Sequence, residues 1–260
     1  MTPRFRAMGS WVARTSALAA TVLLISACGD PGPESGEVVL VASDGLEVVA
    51  DWHRAEGPVR ATIVAFHQGG GEVRGEYARI VPRLTAEGFQ VLLADLRRGG
   101  DRFGFENRTA PPGSESLYSY CDAVLDVEAA VQEAWRFSDQ VVLWGSSFSA
   151  TLVINQAARD PAGVLGVLAF SPASGDPMEG CRPEASSADL DVPLLVLRGA
   201  HEMEFPSVRE QMSVFDEQGH LTFVADPGRH GSSMLDSTRV EASTEHSWRE
   251  VNAFLDGLTR

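Results

Sequence analysis

Hydrophobic and polar positions alternate along the chain in two distinct rhythms. Short, continuous apolar runs at residues 60–67 (RATIVAFH), 89–97 (FQVLLADLR), 141–145 (VVLWG), 163–171 (GVLGVLAFS), 193–199 (PLLVLRG) and 221–226 (LTFVAD) read as buried strands. Between them, apolar residues recur at helical spacing: from Tyr77 to Glu87, closed by Gly88, from Ala123 to Trp135, then over 150–158, 208–219 and finally 245–258. The opening stretch VVLVASDGLEVVADWHR has two β-rich runs around Asp44-Gly45, a hairpin signal. Strands apolar on both faces and alternating with helices predict an α/β fold: a mostly parallel central sheet covered by helices on both faces, with the hairpin as an antiparallel edge. In such sheets ligands bind beyond the carboxyl ends of the strands. The loops after His67, Asp95, Gly145, Gly199 and Asp226 are therefore the places to look for chemistry.

The first thirty residues follow a different pattern. Arg4, Arg6 and Arg14 precede an apolar run from Ala17 to Ile25 and then small residues, the layout of a secretory signal. Its last part, LLISAC, resembles the lipobox of bacterial lipoproteins. The resemblance implies cleavage after residue 27 and a lipid on Cys28; the other reading is an ordinary secreted protein. Residues 28–37, rich in Gly and Pro, then form a tether, and 38–260 the folded domain. The expected location is the cell envelope, with the protein held at a membrane through its lipid.

Composition narrows the partners. The net charge is -15 and all 21 basic residues are Arg. An acidic chain without a basic patch is not a nucleic-acid binder. Beyond Cys28 only Cys121 and Cys181 remain. Export would allow a disulfide between them, the alternative being two free thiols. No metal-ligand spacing and no dinucleotide fingerprint occurs, so neither metal nor cofactor is expected.

The stretch GSSFS, Gly145 to Ser149, joins a predicted strand to a predicted helix. It has the form of a nucleophile elbow, Gly-x-Ser-x-Gly, with Ser147 as nucleophile and Ser149 replacing the second Gly. His230, in the loop after the last strand, is the candidate general base, since removing the serine proton requires an imidazole of fixed tautomer. Glu202, three residues after Gly199, is the candidate orienting acid, with Glu204 as the fallback. The Gly-rich HQGGG after the third apolar run suits an oxyanion loop. Gln68 N–H and Phe148 N–H are the expected donors, with Gly69 the alternative to Gln68. Asp95 and Arg97 are expected to tie loops together; Arg97, Arg98 and Arg102 could alternatively meet a substrate carboxylate.

With these motifs the chain from about Val38 to Leu258 resembles the α/β-hydrolase superfamily, and is most similar to its dienelactone-hydrolase-like and esterase-like members. The resemblance implies a serine hydrolase that cleaves a small-molecule carboxylic ester through an acyl-enzyme, with Ser147, Glu202 and His230 as the triad. Dienelactone hydrolases use Cys as nucleophile, and Glu202 stands where the superfamily more often has Asp. The segment between residues 171 and 193 leaves room only for a short lid. Two other functions fit the same fold: a serine peptidase of the prolyl-oligopeptidase type, and a binding lipoprotein that has lost the chemistry.

Overall fold

The computed structural model describes Met1 and residues 32–110, 113 and 117–259. Residues 2–31, which hold the expected signal, Cys28 and the start of the tether, lie outside the described residues. In chain order the elements are β1 (Gly36–Val41), β2 (Glu47–His53), β3 (Ala61–Phe66), α1 (Val73–Glu76), α2 (Val81–Ala86), β4 (Phe89–Ala94), α3 (Val124–Trp135), β5 (Val141–Ser146), α4 (Phe148–Arg159), β6 (Val164–Phe170), α5 (Pro183–Ala188), β7 (Leu194–Gly199), α6 (Pro206–Glu217), β8 (Leu221–Ala225), α7 (Ser237–Val240) and α8 (Glu245–Leu258).

The eight strands form one sheet in the order β1-β2-β4-β3-β5-β6-β7-β8. β1 pairs antiparallel with β2, and β2 antiparallel with β4; all other pairs are parallel. The central strands β3, β4, β5 and β7 are buried along their whole length, as their unbroken apolar runs require. The edges differ: β1 and β8 leave most of their positions at least partly exposed.

Successive strand residues face opposite layers, so the sheet has two cores. Val64 and Phe66 of β3 pack with α3, α4 and α6 residues such as Val127, Ile154 and Phe215. Ile63 and Ala65 pack with Ile80, Leu84 and, from α8, Trp248, Val251 and Leu255. The α8 positions recur every three or four residues and lay one apolar stripe on the sheet. Each fully buried side chain of this size contributes about 1.5–3 kcal/mol.

The element boundaries moved in three places. β1 begins at Gly36, inside the segment expected as tether, because Gly36 and Glu37 pair with Trp52 and Asp51. The helix expected over Tyr77–Glu87 is regular only from Val81 to Ala86. Gly88, at φ 88°, ends it, and a Cβ there would meet the Pro58 carbonyl at 3.0 Å. The segment between β6 and β7, expected to leave room only for a short lid, holds the short helix α5.

Candidate active site

Ser147 links β5 to α4 with φ 62° and ψ -119°, a conformation that costs a non-glycine residue about 1–3 kcal/mol. The neighbours hold it there. Its N–H donates to the Phe170 carbonyl at 2.8 Å, and its own carbonyl accepts from Ala150 and Ala173 N–H, both at 3.1 Å. Gly145 is obligatory in this turn, since a Cβ would lie 2.4 Å from the Ala150 backbone. Ser149 is fully buried, and its hydroxyl explains why the second elbow Gly can be replaced. Its Oγ accepts Ser146 N–H at 2.8 Å and reaches the Phe66 carbonyl at 3.0 Å, so the extra atom is satisfied.

His230 stands at the end of the loop after β8. Its Nδ1 is bonded to Glu202 Oε1, which leaves Nε2 as the ring nitrogen without a protein partner among the described residues. The His230 side chain is 42% exposed, whereas that of Glu202 is only 8% exposed. Glu202 Oε2 accepts the Ser171 hydroxyl at 2.7 Å and Gly199 N–H at 3.2 Å, with Arg198 Nη1 at 3.7 Å. Burial works to raise the Glu202 pKa, but the His230 contact, Ser171 and Arg198 outweigh it and hold the carboxyl below its ordinary range. Glu204, the fallback acid, is exposed; among the described residues its carbonyl accepts Arg209 at 3.0 Å and its carboxylate has no bonded partner. The loop carrying His230 packs on the elbow: Ser232 N–H donates to Ser146 Oγ at 2.9 Å.

The expected oxyanion donor Gln68 is otherwise occupied. Its N–H donates to the Glu76 carboxylate at 2.8 Å, so it cannot also face a substrate oxygen. Gly69 N–H, next along, has no protein acceptor among the described residues. Phe148 opens α4, where its N–H lacks an intrahelical acceptor. These two N–H groups are the available pair. A Cβ on Gly69 would come within 2.9 Å of the Tyr120 hydroxyl and displace that side chain.

Tyr120 was not foreseen from the sequence. Its ring packs on Phe148 at 4.8 Å between centroids, and the Arg98 guanidinium covers it at 4.4 Å. The next residue, Cys121, is disulfide-bonded to Cys181, with 5.8 Å between Cα atoms. The bond joins the loop after β4 to the segment between β6 and β7. A cavity of about 520 Å³ opens beside His230, walled by Ser171, Ala173, Arg182, Glu184 and Val208. Of the arginines weighed as carboxylate receptors, Arg97 is structural: it is buried and spans Asp126 at 2.7 Å and Asp44 at 2.6 Å. Asp95 likewise accepts Val73 N–H at 2.9 Å and pairs with Arg108 at 2.8 Å.

The strand order, the elbow after β5 and the acid and histidine after β7 and β8 decide the architecture. The chain has the α/β-hydrolase fold. Residues 57–183 match the family described as serine aminopeptidase, S33. That span takes in the Gly-rich loop and Ser147 and stops before Glu202 and His230. Among solved structures, an esterase of Pyrococcus furiosus superposes with a TM-score of 0.62 at 15% identity, covering 87% of this chain and 92% of its own. An acylaminoacyl peptidase of Pyrococcus horikoshii superposes with a TM-score of 0.63 at 15% identity, over 88% of this chain but 42% of its own. A Klebsiella pneumoniae protein provisionally described as a dienelactone hydrolase gives 0.61 at 17% identity, over 85% and 99%. No curated protein matches the sequence. At these identities the likeness is one of α/β-hydrolase fold.

Proposed function

We propose that the protein is a serine hydrolase acting on small carboxylic esters. Ser147 Oγ attacks the acyl carbon and its proton passes to His230 Nε2. The oxyanion is held by Gly69 and Phe148 N–H. Collapse releases the alcohol, which takes the proton back from His230, and a water activated by the same imidazole then cleaves the acyl-enzyme. Glu202 fixes the tautomer and supports the imidazolium. The observation that carries this reading is the Glu202–His230 contact, with the buried acid on Nδ1 and no partner on the other nitrogen among the described residues.

Ser147→Ala should lose on the order of 10⁴ to 10⁶ in kcat on p-nitrophenyl esters with the fold intact. An inert wild-type protein, unreactive also toward fluorophosphonates, would favour the binding-lipoprotein reading instead. A peptidase reading draws on the S33 match and on the acylaminoacyl peptidase likeness. This chain covers 42% of that peptidase. Assaying aminoacyl amides beside esters separates the two, and Ser147-dependent turnover of amides faster than esters would reverse the assignment.

The domain works outside the cytoplasm, held at a membrane by acyl chains on Cys28. The signal-like first segment supports this, and the Cys121–Cys181 bond fits an oxidising compartment. Each buried CH₂ contributes roughly 0.8 kcal/mol, so more than one chain anchors the domain stably. Mass spectrometry of the mature N-terminal peptide tests it; an unmodified peptide in intact cells would exclude the anchor.

A further inference from the structure

Glu76, the last residue of α1, is 1% exposed and sits where three segments of the site converge. One carboxylate oxygen accepts Gln68 N–H at 2.8 Å, the other the Ser146 hydroxyl at 2.6 Å. Ser146 Oγ in turn accepts Ser232 N–H at 2.9 Å. Gln68 immediately precedes Gly69, Ser146 immediately precedes Ser147, and Ser232 lies two residues beyond His230. A single buried side chain thus touches the neighbour of the oxyanion donor and the neighbour of the nucleophile, and through one hydroxyl it reaches the histidine loop.

On the serine-hydrolase reading above, we propose that Glu76 is a positioning residue, whose ionised carboxylate fixes the oxyanion loop, the elbow and the histidine loop relative to one another. The groups that meet it, Gln68 N–H, the Ser146 hydroxyl and, at 3.4 Å, Gln68 Nε2, are all donors. Gln68 N–H can do nothing else, and the Ser146 hydroxyl already receives Ser232 N–H, so its proton points to Glu76. An ionised carboxylate accepts them all at once. Protonation turns one oxygen into a donor and weakens whichever of these contacts that oxygen accepts.

The surroundings place this change near the working range. Burial acts most strongly and pushes the Glu76 carboxyl up to about 7, against the opposing pull of Ser146, Gln68, Arg239 and His230. Arg239, on α7, donates to the Glu76 and Gly75 carbonyls at 3.1 and 2.7 Å. The neighbouring Tyr77 hydroxyl is turned to the Phe66 carbonyl at 2.7 Å. Glu72, which caps α1, is committed to Gly75 and Phe105 N–H at 3.0 and 2.9 Å.

Phosphonylation of the full chain by a fluorophosphonate tests this without knowledge of the substrate. In that reaction the Ser147 Oγ–P bond forms, the P–F bond breaks, fluoride leaves and the hydroxyl proton passes to His230. Rates are compared from about pH 5 to 9 for wild type, Glu76→Gln and Glu76→Ala. At alkaline pH, Glu76→Ala should react roughly tenfold to a hundredfold more slowly, as expected when reacting groups are slightly misplaced. Glu76→Gln retains an acceptor for Gln68 N–H and should recover part of that loss.

The pH slope separates positioning from a merely structural role. On acidification through neutrality the wild-type rate should fall more steeply than that of Glu76→Gln, because Glu76 takes up a proton there and the glutamine cannot. Identical slopes for wild type and Glu76→Gln overturn the inference, as does a Glu76→Ala rate within about twofold of wild type. Should Glu76→Ala fail to fold, the Glu76→Gln slope alone decides. A wild-type protein that is never labelled at Ser147 overturns the hydrolase reading itself, a result distinct from labelling with unchanged slopes.

Discussion

The Ser171 hydroxyl donates to Glu202 Oε2 at 2.7 Å while accepting Gly231 N–H at 3.0 Å, so it braces the acid and the histidine loop together. Ser171 has φ 53°, a second strained residue at the end of a strand beside the elbow. Ser171→Ala leaves a buried carboxylate oxygen short of one donor and frees the loop at Gly231. The expected loss is about 1–3 kcal/mol, read as a fall in kcat with little change in KM. A change confined to KM would mean that Ser171 contacts substrate and does not brace the acid.

Glu202 and Glu204 have opposite environments and should have opposite mutational consequences. Glu202→Gln removes the charge facing His230 Nδ1 and should cost roughly two to four powers of ten in kcat. Glu204→Gln changes an exposed side chain without a bonded partner among the described residues and should cost less than about tenfold. Steady-state kinetics of both variants on one ester checks this, and the reverse order would transfer the role to Glu204.

The central sheet was readable because β3, β4, β5 and β7 are apolar on both faces and alternate with helices, the pattern expected of a doubly covered, mostly parallel sheet. The candidates Ser147, Glu202 and His230 stood out because each follows a strand end in the chain order expected of an elbow, an acid and a histidine, and of these the structure bonds Glu202 to His230 Nδ1. The oxyanion loop was readable only to within a residue. Choosing Gly69 over Gln68 depends on where Glu76 points, a contact between residues on different elements that no local spacing encodes. Ser171, Tyr120 and Glu76 were invisible for the same reason. The one clue to Tyr120 was its position beside Cys121, whose bond to Cys181 pins that loop over the site.

That bond closes a loop over a sequence separation of 60 residues, which in the chain-entropy description contributes about 4 kcal/mol. Cys121→Ser with Cys181→Ser should lower stability toward that amount, measured by denaturant unfolding. Activity should also fall, since Tyr120 loses its tether beside Gly69 and Phe148. Full activity in a destabilised double variant would show that Tyr120 holds its place through packing on Phe148 and Arg98 alone.

Glu76 should make stability depend on pH in a window of its own. An unfolded chain releases this proton near the ordinary value of 4.5, whereas in the folded protein burial pushes the carboxyl up to about 7. Between those values the folded state holds the extra proton. Stability is therefore full below the lower value, declines as pH rises through the interval and levels off above it. The integrated effect is on the order of 3 kcal/mol. Glu202 acts in the opposite sense, because its folded pKa is depressed: its contribution is present above the ordinary carboxylate range and is lost only as pH falls below it. The two windows are separate, but burial also raises the Glu72 and Asp126 carboxyls, which act in the same sense as Glu76, so the comparison with Glu76→Gln isolates the share of Glu76. Glu76→Gln cannot ionise, and its unfolding midpoint should fall by several degrees less than that of wild type between about pH 5 and 7.5. Parallel midpoint curves for the two proteins would show that Glu76 does not carry the penalty. A smaller decline in the variant, together with slower phosphonylation at alkaline pH, would show a site that is kept ionised at a cost to stability because the ionised form aligns it.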